Sequence, residues 1–190
     1  MITEEIKEKN YSIFIKKLEE IGIDTSSITE ELAEKIKNAS FNFSNENGTA
    51  YSGSLLHIVL RKLTPYAINI NNVLNPSIQV EKNTLIKVCL LQHLSKCHLF
   101  ELNDNEWERD KRGLIYKFSK QNVALKMGMF SIYFAEKLGI RFSIEELEAM
   151  TVLDRNLDDE QVKYFSSPLS TIVRQANELT FLEMRKKWMN

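Results

Sequence analysis

The chain has 190 residues, 43% hydrophobic and 27% charged, and its 25 basic and 26 acidic side chains leave a formal net charge of -1. That length can bury a core in one domain without disulfide or metal staples, and the balanced charge excludes the basic composition of a general nucleic-acid or membrane-surface binder. Cys89 and Cys97 lie eight apart on one predicted helix, too far to bridge; both read as buried small hydrophobes of a reducing compartment.

The N-terminal stretch MITEEIKEKNYS is acidic and amphipathic, unlike an export signal, and no apolar run approaches eighteen residues. A cytoplasmic protein that does not span a membrane is expected. Six glycines and three prolines give little punctuation, and apolar residues recur at helical spacing throughout, so the fold class is all-α. Almost nothing is left for strands.

The first helix is predicted over 3–21, with Ile6, Tyr11, Phe14, Ile15, Leu18 and Ile21 on one stripe and Gly22 at its end. Ser27 to Glu30 has the spacing of a capping box for a short helix to Lys37. Residues 38–53 form a loop rich in Asn, Ser and Gly. That loop divides an N-terminal helical pair, 1–38, from a main helical domain, 39–190.

A helix from Gly53 carries His57 and meets Pro65, which should kink or break it. Asn75 and Pro76 make a turn. Asn83 can cap a central helix over 83–97, NTLIKVCLLQHLSKC, whose apolar residues face nearly every side. Gln92 and His93 are therefore polar side chains in an interior, and they need partners.

Residues 99–116 read as a polar connector containing Trp107 and Gly113. A helix over 119–138, including Val123, ends at Gly139, and a second capping box from Ser143 to Glu146 starts a short helix to Leu153. Pro168 suits the first turn of a last helix bearing Leu169, Ile172, Val173, Ala176, Leu179 and Leu182. The final residues are basic and expected to fray.

No Gly-rich phosphate loop, CxxC pair, HExxH or GxSxG is present. The histidines are His57, His93 and His98, and core histidines satisfied by protein partners are common. The charge run Glu106, Glu108, Arg109, Asp110, Lys111 and Arg112 reads as a solvated loop. Trp107 beside it has the character of a contact anchor. Arg185, Lys186, Lys187 and Trp188 are too few for a nucleic-acid site.

In order, the phrases GSLLHIVL, LIKVCLLQHLSK, RGLIYKF, LKMGMFSIYFAEKLGIRFSIEELEAM and SPLSTIVRQANEL resemble the HD-domain family of metal-dependent phosphohydrolases, in a compact branch found in bacteria and their phages. The resemblance covers about 39–182 and implies an HD-like helical bundle. It places the family's first metal-binding His on His57, its His-Asp pair on Gln92 and His93, two further histidines on Met127 and Leu153, and the closing Asp on Asn177. Only the first position keeps its residue.

Losing both carboxylates removes two negative charges that would face a dication, so no metal, no other cofactor and no catalytic residue is expected. Gln92, His93, His57 and Asn177 are expected instead to form a hydrogen-bonded cluster in the old cavity. A reduced site of His57, His93 and Asn177 would need Glu178 or Asp104 as an anionic ligand. Lys96 and Arg174 are candidate anion-binding groups, with solvated surface positions the favoured reading for both.

The resulting expectation is a catalytically inactive HD-like protein serving as a structural or protein-binding module. If phage-encoded, it would belong to a virion or replication assembly in the host cytoplasm. The alternatives are a phosphohydrolase of nucleotides or other phosphate esters with a rearranged site, and a nucleotide-sensing domain without turnover. Protein partners are implied, with an oligomer as one option; no membrane or nucleic-acid partner is.

Overall fold

Thr3 opens the first helix, α1 (Glu4–Glu20), by accepting a hydrogen bond from the Ile6 N–H on its side-chain oxygen. A computed structural model describes residues 2–45, 48–120, 124–155 and 166–185. The fold is all-α with one small two-stranded sheet.

The predicted capping box at Ser27 is replaced by its neighbour. Thr29 caps α2 (Glu30–Asn38) by accepting from Leu32 N–H, while the Ser27 hydroxyl donates to the Leu138 carbonyl. Phe14, Leu18 and Ile36 lie in the same buried cluster as the later helices.

The helix after Gly53 survives Pro65. α3 (Ser54–Ile58) widens into one turn of π-helix, Val59–Leu63, before α4 (Thr64–Val73). In that turn Thr64 N–H reaches back to Val59 O. The wider winding carries the backbone past the proline ring, which would otherwise press on a carbonyl one turn earlier. Asn75 then caps a short 3-10 turn at Pro76, as its turn assignment requires.

The central segment departs most from expectation. Glu81, not Asn83, caps α5 (Lys82–Leu91), its carboxylate accepting from Asn83 and Thr84 N–H. The helix stops there. The chain tightens through Leu94 N–H to Leu91 O, Lys96 N–H to His93 O and Cys97 N–H to Leu94 O, then resumes as α6 (Lys96–Leu99). Both cysteines are free and buried, and burial pushes each thiol up to about 12.

The predicted polar connector contains structure of its own. β1 (Phe100–Leu102) and β2 (Tyr116–Phe118) pair antiparallel, with α7 (Glu106–Arg112) between them. Their register sets Glu101 opposite Lys117, a favourable cross-strand pair. The 38–53 loop adds to this unit: Tyr116 N–H donates to Phe43 O, and Asn45 N–H to Gly113 O.

α8 (Met127–Lys137) begins later than the predicted 119, and Val123 lies outside the described residues. Ser143 and Glu146 form the expected capping box of α9 (Ile144–Met150). A 3-10 turn, Val152–Asp154, follows. Asp154 then accepts from Gly128 and Met129 N–H, capping α8 from a neighbouring element.

Ser167 and Pro168 start α10 (Pro168–Met184), whose Leu169, Ile172, Val173 and Ala176 are buried as the pattern predicts. Leu179 and Leu182, assigned to the same stripe, are exposed. Arg185 is exposed, and the remainder of the basic tail lies outside the described residues. No described helix is long and apolar enough to cross a membrane.

A Cβ at Gly128 would lie 2.4 Å from Met150 O and 2.7 Å from Asp154 Oδ2. Backbone cannot move aside as a flexible side chain can. Gly128→Ala is therefore expected to destabilise the protein by about 3 kcal/mol or more, read as a lowered urea midpoint in equilibrium unfolding.

Candidate functional site

Interrupting α5 after Leu91 frees backbone groups that helix continuation would have paired. Ser131 of α8 takes them up: its Oγ donates to Gln92 O at 2.9 Å and accepts from Ser95 N–H at 3.0 Å. Ser95 Oγ in turn donates to Met127 O at 3.1 Å. This buried hydroxyl pair holds the turn so that Gln92 and His93 face α10.

There they meet Asn177. Its Nδ2 donates to Val173 O at 2.8 Å and to Gln92 Oε1 at 3.0 Å, while His93 Nε2 lies 3.0 Å from Asn177 Oδ1. Because Val173 offers only a carbonyl, the amide orientation is fixed, and Oδ1 can only accept. His93 therefore carries its hydrogen on Nε2. All three side chains are buried.

Burial, followed by the field of Lys96, holds the His93 imidazole well below its ordinary pKa; the Asn177 contact opposes this. A neutral ring with Nε2–H leaves a lone pair on Nδ1. That atom, like Gln92 Nε2, is buried without a hydrogen-bond partner among the described residues.

The sequence-predicted residues come together in part. Gln92, His93 and Asn177 form one network, and Met127 joins its margin through its carbonyl. His57 does not enter. It is half-buried on α3, its ring 6.5 Å from that of Tyr51, and its Nδ1 has no hydrogen-bond partner among the described residues. Burial and the nearby Arg61 and Lys62 lower its pKa. Leu153 is exposed.

Lys96 corrects the expectation of a solvated position. It is 3% exposed, its Nζ donating to Phe41 O at 2.7 Å and lying 3.6 Å from the centre of the Phe41 ring. Arg174 is part-exposed at 4.0 Å from Glu178. No described contact joins it to Lys96. Phe41, within the polar 38–53 loop, is fully buried and sets its ring against both His93 and Phe181.

A divalent ion does not fit the donors in this arrangement. Asn177 Oδ1 and Gln92 Oε1 already accept hydrogen bonds and His93 Nε2 carries a hydrogen, which leaves the His93 Nδ1 lone pair as a single uncharged donor with no carboxylate of the network beside it. Asp104 pairs with Lys117 at 2.7 Å, and Glu178 faces Arg174. Among the described residues no three His, Cys, Asp or Glu side chains gather as a ligand set. Compared with known proteins, the chain matches no family model, no curated protein and no solved structure.

Two outcomes follow from this network. Asn177→Ala leaves Gln92 Oε1 and His93 Nε2–H without partners and should cost about 2–4 kcal/mol in urea unfolding. His93 stays neutral when folded but takes up a proton near 6.5 when unfolded. The unfolded state then binds more protons, so stability falls as pH drops below about 6.5. The pH dependence of the urea midpoint, with His93→Gln removing this contribution, checks it.

Proposed function

We propose that this chain is a catalytically inactive HD-like protein, working as a structural or protein-binding module through its surface. The observation that carries the reading is the closed pattern of Asn177, which uses both amide hydrogens and its oxygen inside the protein. In the HD arrangement that residue would be a carboxylate turned toward a metal. As an amide bonded to Gln92 and His93 it supports the packing of α10 against the end of α5.

A contact surface lies on the hairpin. The rings of Phe43, Phe100 and Phe118 pack against one another at 5.4 to 6.2 Å, yet Phe118 remains 56% exposed. Leu102 and Trp107 are each 62% exposed on the same β1–α7–β2 unit. Large exposed apolar groups concentrated on one unit favour a protein contact, and tryptophan is the side chain most enriched at interface centres.

Purified protein is expected to hold no stoichiometric metal by elemental analysis. It should hydrolyse neither nucleotides nor p-nitrophenyl phosphate with manganese, iron or magnesium added. Turnover abolished by His57→Ala would overturn the reading. A partner recovered by cross-linking should be lost with Trp107→Ala and Phe118→Ser while the melting temperature stays near that of the parent.

A further inference from the structure

The two strands of the hairpin present an outer edge on each side, and Phe43 takes a bond on one of them. Asn103 N–H donates to Ile115 O and Ser119 N–H to Leu99 O, bonds that bracket the register of β1 and β2. Bonded pairs alternate along an antiparallel ladder, so Glu101 and Lys117 form the bonded pair between them. Phe100 and Leu102, like Tyr116 and Phe118, therefore turn their N–H and C=O groups away from the other strand. Tyr116 bears this out, since its N–H donates outward to Phe43 O.

On the β1 side the outward groups belong to partly buried Phe100 and exposed Leu102. They make two donor–acceptor pairs about 7 Å apart along the strand, a spacing that another extended backbone matches. Among the described residues no turn, cap or loop bonds to them.

β2 shows which side chains such a backbone should carry. Residues directly opposite share a face of the sheet. Phe118 sets its ring 5.4 Å from that of Phe100, with Phe43 packed beside both. On the other face Lys117 lies 3.7 Å from Glu101 and 2.7 Å from Asp104, one cation shared by two carboxylates, while Lys120 adds a weaker attraction at Asp104. A lysine or arginine on the outer side of Glu101 would complete what Lys117 supplies in part. The Tyr-Lys-Phe phrase of β2 thus fits Phe100, Glu101 and Leu102 from the inner edge, and the outer edge presents the same three side chains in the same alternation.

We propose that the outer edge of β1 binds an extended peptide segment of a partner protein, paired antiparallel, with the side-chain pattern apolar, basic, apolar set against Leu102, Glu101 and Phe100. The proposal rests on the reading of the hairpin as the working surface and names the kind of partner it takes. Main-chain bonds to Phe100 and Leu102 hold the segment. Its apolar residues extend the face of Phe43, Phe100 and Phe118 over Leu102, and its basic residue pairs with Glu101.

The probe is the synthetic peptide acetyl-Thr-Thr-Tyr-Lys-Phe-Thr-Thr-amide, titrated into the full-length chain with amide hydrogen exchange followed by NMR. In the free chain the Phe100 and Leu102 amides should exchange well ahead of Glu101, whose N–H lies inside the ladder. Saturating peptide should slow both by roughly tenfold or more and leave Val88 in α5 unchanged. N-methylation of the peptide's Tyr and Phe, whose N–H groups face β1, should weaken binding roughly tenfold or more, and N-methylation of its Lys should not. Exchanging that Lys for Glu should weaken binding roughly fivefold. Leu102→Pro removes one outward N–H and spares the inner ladder, so it should weaken binding by about as much while the melting temperature stays near that of the parent.

The proposal is overturned if the two amides are already as protected as Glu101 in the free chain, or if the peptide fails to slow them. Protection that rises with chain concentration alone also overturns it, in favour of a second copy on the same edge. So does a peptide indifferent to N-methylation of Tyr and Phe or to the Lys-to-Glu exchange. If Leu102→Pro does not fold, the altered peptides decide, since they leave the chain untouched. The surface reading itself is decided by the metal and cross-linking assays, in which no peptide is used; a partner lost with Trp107→Ala beside a peptide that does not bind would keep that reading and remove strand addition.

Discussion

Asn177 has two hydrogens and one oxygen to place in a wholly buried position, and the Val173 carbonyl, four residues back on its own helix, takes one hydrogen. That choice leaves no freedom for the rest. The second hydrogen goes to Gln92 Oε1, so Gln92 turns its amide nitrogen away, and Oδ1 receives the His93 Nε2 hydrogen. A helix-internal bond therefore sets the orientation of one residue and the tautomer of another, more than eighty positions away in the chain. Asparagine serves this role because it both donates and accepts. An ionised aspartate could only accept, and would leave the Val173 and Gln92 oxygens facing its charge.

The same demand explains why α5 ends where it does. If helix continued through Gln92 to Cys97, the Gln92 carbonyl would be committed to its own helix. The tightened turn frees it for Ser131, and Ser95 completes the link between α5, α6 and α8. Neutral hydrogen bonds are each worth about 1 kcal/mol net, while an unmade one in the core costs about 1–3 kcal/mol. The hydroxyls thus act mainly by preventing a loss. Among the described residues Gln92 Nε2 and His93 Nδ1 stay unpaired, and the His93 ring lies 5.0 Å from that of Phe41, over which Lys96 Nζ sits.

What was legible in the sequence followed the strength of local signals. α1, the Ser143 to Glu146 capping box and the start of α10 at Pro168 were readable because propensity, capping and periodicity agree there. At Ser27 the spacing matched a capping box, but Thr29 offered an equivalent oxygen and Ser27 found a tertiary acceptor in Leu138 O. The strands hid because each is a single three-residue apolar-charged-apolar phrase, Phe-Glu-Leu and Tyr-Lys-Phe, too short to establish a period. Their opposite central charges were the available clue. Gln92 and His93 were readable as interior polar groups from the apolar run around them, whereas their bonding to Asn177 and the position of His57 outside that network depend on packing. Burial of Lys96 was illegible because lysine is rarely buried and only a long-range contact with Phe41 puts it inside.

Segment 39–45 connects the two regions that these constraints separate. By composition it is a loop: Phe41 N–H, Phe41 O and Asn42 O pair with side chains, and Phe43 O and Asn45 N–H pair with the β1–α7–β2 unit. Phe41 reaches the polar interior while Phe43, two residues on, reaches the hairpin rings. The two rings are two residues apart, so a core residue and a surface residue share one short span. Fixing Phe41 consequently limits where Phe43 can lie, and the exposed aromatic group inherits its position from the buried contact. The interior polar centre and the exposed aromatic surface are thereby parts of one mechanical arrangement, even though Gln92, His93 and Asn177 are all buried.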